Sequence, residues 1–440
     1  MAKGIKNGPE LWKRAKSIIP GGNQLLSKRS ERFLPGLWPA YYQKAKGCRV
    51  WTLDGKVYYD FAQMGVGSCI LGYADFDVDR AVKNAIAQGS MSSLNCPEEV
   101  DLAEVLIALH PWAQMVRFSR TGGEACSIAV RIARAASGKD KVLFCGYHGW
   151  HDWYLGANLG DTAQLDGHLL PGLHPKGVPR GLKDSAFAFS YNDTGAFDRL
   201  VSLHGAHVGA IIMEPLRSSQ PKPGFLEHIR SAADKLGAVL IFDEVTSGFR
   251  MNLGGIHMTF GVEPDIAVFG KGMGNGYAIS AVIGRKNVMD AAQDTFISST
   301  MWTERIGFAA ALATIKKMRA CHVQEHLVQY GDLINAGWSR IAQETGLDIH
   351  MDGISPLTHL TFKTPEPLAV QTLYAQEMLA KQYLLGASVY STYAYSKPLI
   401  QRFIRDSKDV FRLIKKAIKE GSVKRYLKSD VIQPGFARLT

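Results

Sequence analysis

Short apolar, β-branched runs alternate with helically periodic stretches through roughly residues 61–320. Met115–Phe118 reads as a strand that enters the turn Arg120-Thr121-Gly122-Gly123-Glu124. The next segment places Ala125, Ile128, Ala129, Ile132 and Ala133 on one face, the spacing of a buried helical stripe, and Gly138 supplies its stop. Lys141–Cys145, Val208–Met213, Ala238–Phe242 and Ile266–Phe269 are predicted as further strands, each followed by a polar or glycine-rich turn. Such alternation predicts βαβ units around a largely parallel sheet. In open sheets of that kind ligands collect outside the carboxyl ends of the strands, so those turns are where chemistry is expected.

The flanks differ. Residues 1–60 are mixed and turn-rich around Pro20-Gly21-Gly22 and Pro35-Gly36, whereas 321–440 carry a strand-like Leu357–Phe362 and an amphipathic pattern near 399–419. The expected organisation is an α/β protein with a large domain over 61–320 and a smaller α+β domain over 321–440, which the segment 1–60 joins.

Composition narrows the class. Apolar residues at 46% and charged residues at 21% are ordinary for a globular protein. The N-terminal stretch has no apolar block before a cleavage site, and no run of 18 apolar residues occurs, which argues against a secretory signal and a membrane span. Six scattered cysteines without a CxxC argue against structural zinc and a disulfide framework, so no metal and a cytoplasmic setting are expected. The net charge of +11 is densest near Lys415–Lys428, where a solvated helix face explains it, and no nucleic-acid motif accompanies it.

Three turns carry candidate chemistry. Gly122-Gly123 at a strand-to-helix junction suits an anion such as phosphate, although such a pair also serves as a plain turn. Asp243 ends an apolar strand, a position that fits either a magnesium-holding carboxylate or one that pairs with a protonated ring nitrogen. The first needs GxxxxGK[ST], and Gly270-Lys271-Gly272-Met273-Gly274 lacks both its spacing and its hydroxyl. Lys271, just past a buried strand and fenced by glycines, suits imine chemistry if desolvated, or else an exposed turn.

The order of these pieces, with Tyr147-His148-Gly149 and Glu214-Pro215 between them, resembles the class III, fold type I aminotransferases, nearest the glutamate-1-semialdehyde aminomutase branch. FSRTGGEA, GYHGWHD, LIFDEVTSGFR and GKGMGNGYAISAVIG match in order and spacing. The resemblance implies a mostly parallel central sheet flanked by helices, a smaller α+β domain built from both chain ends, and pyridoxal 5'-phosphate as cofactor. It implies Lys271 as the Schiff-base lysine and Asp243 as the partner of the pyridine nitrogen. Tyr147 and Val245 would pack the two ring faces, with Thr121, Gly122 and Gly123 at the phosphate. Glu214 would bind close to the cofactor on its substrate side, and Ser219 would contact the cofactor near its phenolic oxygen. Thr300 would reach the neighbouring subunit's cofactor, which implies a homodimer.

Departures fall where substrate would sit. The register offers Lys28, with Arg29 beside it, where the branch carries a carboxylate-binding arginine. Met301-Trp302-Thr303-Glu304-Arg305 replaces a small-residue stretch. Trp302, Arg217, Arg305, Tyr393 and Tyr395 suit a sugar-like or anionic acceptor. The reading is an aminotransferase that moves an amino group from a donor such as glutamate to an aldehyde or ketone by a ping-pong mechanism. An intramolecular aminomutase and a non-catalytic binding protein are the alternatives.

Overall fold

The computed structural model describes residues 7–435 except 170 and 217, so Arg217 lies outside the described residues. Contacts divide the chain into two units, one holding the described residues up to Asp75 and from Glu325 onward, the other Phe76–Gln324.

The second unit is built on a seven-stranded sheet. Its strands are β1 (Met115–Ser119), β2 (Lys141–Cys145), β3 (Ala186–Ala188), β4 (Val208–Met213), β5 (Val239–Asp243), β6 (Ile266–Phe269) and β7 (Ser280–Gly284), in the spatial order β1-β7-β6-β5-β4-β2-β3. β2 to β6 pair in parallel, and β7 runs antiparallel between β6 and the edge strand β1, so β1 points the same way as the parallel strands. β4, β5 and β6 are buried at every position, as expected of strands covered on both faces. Helix α1 (Gly122–Ser137) buries all five residues of the predicted stripe and ends at Gly138 with φ 67°. β5 starts one residue later than the apolar run suggests. The Ala238 amide turns back to the Ala233 carbonyl, closing the preceding helix over Gly237, while the Glu244 amide continues the ladder to Val268. Asp243 is therefore itself the last strand residue.

The first unit has a four-stranded sheet (Tyr42–Lys46, Arg49–Thr52, Val57–Asp60, Tyr383–Leu384) and a three-stranded one (Ile349–Ile354, Leu357–Phe362, Ser388–Tyr390). The helix Lys397–Lys419 buries Ile400, Phe403, Ile404, Val410, Phe411 and Ile414 on one stripe. Its charged face is laced into ion pairs, Lys408 with Glu344 at 2.6 Å and Arg402 with Asp406 at 3.5 Å, and Lys424 beyond it meets Glu366 at 2.9 Å. Tyr395 belongs to the core here, 3% exposed with its hydroxyl donating to the Asp60 carbonyl at 2.7 Å, which corrects its reading as a substrate-facing aromatic.

Candidate active site

Each chemistry-bearing turn leaves the carboxyl end of a parallel strand: Thr121 after β1, Tyr147 after β2, Glu214 after β4, Asp243 at the end of β5 and Lys271 after β6. Val245 ties three of them together. A Cβ on Gly122 would stand 2.8 Å from a Val245 methyl, and one on Gly270 would stand 3.5 Å from it. The valine side chain thus lies between the glycine turn and the lysine turn, and only glycine fits at position 122 without a shift.

Thr121 caps α1. Its hydroxyl accepts from the Glu124 amide at 3.3 Å, and the Glu124 carboxylate accepts from the Thr121 amide at 2.8 Å, a reciprocal capping box. The S/T-x-x-E signature of that box is legible in Thr121-Gly122-Gly123-Glu124, and it marks the helix start more sharply than the glycines alone.

Asp243 is 3% exposed. Its Oδ2 lies 2.8 Å from His148 Nδ1 and accepts from the Cys126 thiol at 3.2 Å; its Oδ1 accepts from the Val245 amide at 3.0 Å. Burial alone would raise this carboxyl, but the His148 contact, the Val245 amide and the thiol together hold it below the usual carboxylate range. The thiol answers in the opposite sense: burial and the adjacent charge push Cys126 well above its ordinary value. Cys126, His148 and Asp243 could formally present ligand atoms to a metal ion. Their mutual hydrogen bonds instead make them one carboxylate with two supporting donors. The links of His148 and Cys126 to Asp243 span 95 and 117 residues, so no local pattern in the sequence announces them.

Lys271 adopts φ 41°, in the left-handed region, and its Nζ donates to the Thr246 hydroxyl at 2.8 Å. Glu214 is buried and accepts from the Tyr147 amide at 3.1 Å. Gly146, at φ 115°, is required there, because a Cβ would run into the Glu214 carboxylate. Beside Glu214 opens a cavity of about 320 Å³ lined by His168, Ser190, Tyr191 and Ser219, among others. Tyr147 is 37% exposed, its ring edge-on to Tyr154.

Thr300 is exposed on the turn Thr300–Thr303. Arg120 holds that turn: it donates to the carbonyls of Met301 at 2.6 Å and Trp302 at 3.2 Å, to that of Glu304, and to Ala278 at 3.2 Å. The Trp302 indole is half-buried and donates to Glu124 at 3.4 Å. Arg305 is bound bidentately by Glu98 at 2.9 and 2.6 Å. That guanidinium is already committed, which corrects the expectation that it faces an acceptor. Lys28 ends a short 3-10 turn in the other unit, and Arg29 packs its guanidinium against Gly21, at φ 72°, where a Cβ would collide with it.

A glycine cup at a helix start, a buried charged carboxylate and a lysine share one sheet edge, the arrangement of an enzyme that holds a phosphorylated ring. Residues 35–353 match the model of the aminotransferase class-III family, and the chain belongs to that family. It is 34% identical to 3-aminobutyryl-CoA aminotransferase of Cloacimonas acidaminovorans (strain Evry), over 81% of this chain and 83% of that protein. It is 36% identical to glutamate-1-semialdehyde 2,1-aminomutase of Desulfovibrio desulfuricans, over 70% and 74%. The PLP-bearing FumI protein of Sphingopyxis sp. MTA144 shares the fold with a TM-score of 0.85 at 24% identity, covering 98% of this chain and 99% of that one. The fold is therefore fold type I, the cofactor is pyridoxal phosphate, and the reactants are small molecules that give and take an amino group. Among the described residues no helix is long and apolar enough to cross a membrane.

Proposed function

We propose that the chain is an intermolecular aminotransferase in which Lys271 carries the cofactor and Asp243 meets its ring nitrogen. The observation that carries this reading is the charged, buried Asp243. Its Oδ1 takes one donor among the described residues, so acceptor capacity remains for a ring N–H. When bound, pyridoxal phosphate supplies the carbonyl that takes up the amine and a protonated ring that draws electrons from the substrate carbon. The chain supplies the rest. Asp243 keeps the ring proton in place, and the amide groups of Gly122 and Gly123, in the turn that Thr121 caps, hold the phosphate. Tyr147 and Val245 pack the ring faces, and the Lys271 amine, steadied by the Thr246 hydroxyl, moves the proton at the substrate carbon.

Glu214 and Ser219 are read as cofactor contacts, and the cavity beside them as room for the acceptor, a polar carbonyl compound of sugar-like or anionic character. Lys28, Arg29, Trp302 and Arg217 are carried as substrate contacts on the family register alone. Thr300, exposed on its turn, supports a homodimer in which it reaches the second cofactor, and six free thiols suit a cytoplasmic enzyme.

The test is a donor–acceptor screen that follows the cofactor's visible absorbance, with borohydride trapping and peptide mapping. The expected result is one half-turnover with a donor alone, recovery on adding a carbonyl acceptor, and label on Lys271. Sustained turnover with a single substrate would instead make it an aminomutase, the reading favoured by the 36% identity to that enzyme. Absence of a trappable band would remove the catalytic reading altogether.

A further inference from the structure

The loop that follows β2 carries a second imidazole, that of His151. His151 Nδ1 is buried and has no hydrogen-bond partner among the described residues. Buried polar atoms are nearly always satisfied, so an orphan in a functional edge calls for an explanation. Its neighbour is the cup: a Cβ on Gly123 would come within 3.3 Å of both Nδ1 and Cε1. With glycine there, the ring edge lies directly against the first turn of α1.

Three contacts keep the imidazole in place. Gly149, at φ 103°, lies so close that a Cβ on it would stand 2.7 Å from the Gly123 Cα, which clasps the loop to the cup. Further along, the Trp153 indole donates to Ser127 Oγ at 3.0 Å, and Ser127 donates to the Gly123 carbonyl at 2.9 Å. Trp150 stacks on the ring at 4.7 Å and 22°, limiting its rotation. The ring is thus held by packing and not by its own polar atoms.

We propose that His151 is a phosphate ligand of the cofactor site, its Nδ1–H donating to a phosphate oxygen beside the amides of Gly122 and Gly123. This rests on the reading that those glycines hold the cofactor phosphate. It adds a side-chain donor to a cup whose other donors are the backbone amides of Gly122 and Gly123, since Thr121 spends its amide and hydroxyl hydrogens on Glu124. Glu124, the one acidic side chain of that turn, accepts from the Arg120 and Thr121 amides and the Thr121 hydroxyl, so its carboxylate is engaged in the cap.

The experiment compares two ligands that differ only in the phosphate. Cofactor-free protein is titrated with pyridoxal phosphate and with pyridoxal, following absorbance and tryptophan fluorescence, and the ³¹P shift of the bound phosphate is recorded. His151→Ala should weaken pyridoxal phosphate about 10- to 100-fold, the range for a hydrogen bond to a charged group, and leave pyridoxal unchanged. It should also move the ³¹P resonance. His151→Asn, whose side-chain amide overlies Nδ1, should restore most of the loss. Equal weakening of both ligands, or unchanged affinity for pyridoxal phosphate, would overturn the assignment. If the unaltered protein bound pyridoxal phosphate no better than pyridoxal, the cup reading itself would fall, a result distinct from either.

Discussion

Asp243 and Glu244 are adjacent in sequence and differ in use. Side chains alternate along a strand, so consecutive residues at its end face different surroundings. Both carboxylates are buried beside a histidine, His148 at 2.8 Å and His257 at 2.7 Å. Glu244 is saturated: Oε1 accepts from the amide and Nδ1 of His257, and Oε2 accepts from the Ser247 hydroxyl and the Ile256 amide. Asp243 has three donors among the described residues, one of them a thiol, which donates weakly. A buried charge that completes its bonds within the chain fastens structure. One that keeps an acceptor position in reserve is ready for a ligand.

Substitution should separate the two. Asp243→Asn is expected to lower turnover on the order of 10²–10³-fold, the scale for losing one preorganised electrostatic partner. Its folding stability should fall by only about 1 kcal/mol, because an amide oxygen in the Oδ2 position keeps the His148 and Cys126 contacts and only the Val245 amide loses its acceptor. Glu244→Gln should do the reverse, losing about 3 kcal/mol because each carboxylate oxygen holds two buried donors and a single amide oxygen leaves two of the four unpaired, while turnover per folded molecule stays within a few-fold. Steady-state kinetics and urea unfolding on both variants check this, and equal stability losses would dissolve the distinction.

Acid should break the two sides in sequence. Behind Glu244, His110 Nδ1 faces the Leu106 carbonyl at 2.8 Å while its Nε2 accepts from the Gly255 amide at 2.9 Å, an arrangement only the neutral ring satisfies. Burial, helped by the nearby His257, lowers its pKa from 6.5 to about 4 against the opposing pull of the Leu106 carbonyl and Glu244. Between those values the unfolded chain binds a proton that the folded chain refuses. Stability is therefore present above about pH 6.5 and lost as pH falls toward 4. The loss should reach about 2 kcal/mol by pH 5. Asp243, held below its ordinary 3.8, yields only under more acid conditions, when pH falls through its own depressed value. Urea unfolding at pH 7, 6 and 5 should show this slope in the unaltered protein and its flattening in His110→Gln. Parallel slopes would remove His110 from the account.

Much of this was legible in the chain. Lys141–Cys145, Val208–Met213 and Ile266–Phe269 form strands at the predicted residues, since strands buried on both faces leave an unbroken apolar run. The positions of Asp243 and Lys271 follow from where those runs stop. What pairing alone decides was not legible. Ser280–Gly284 follows a glycine-rich turn, and its antiparallel place beside Met115–Ser119 depends on a partner far away in sequence. The same holds for His148 and Cys126 on Asp243. A local motif announces a side chain, but the long-range contact decides what it touches.

Trp302 sharpens that lesson with the smallest effect. The altered stretch after Thr300 marks it as a substrate contact, yet its indole N–H donates to Glu124, the residue that closes the cap of α1. At 3.4 Å the bond is long, so its net contribution should not exceed about 1 kcal/mol. Trp302→Phe keeps the aromatic packing and removes only the donor. It should cost about 0.5–1 kcal/mol in urea unfolding and change KM for either substrate less than about two-fold. A larger rise in one KM with stability unchanged would return Trp302 to the substrate side, because a residue that serves only the cap cannot distinguish donor from acceptor.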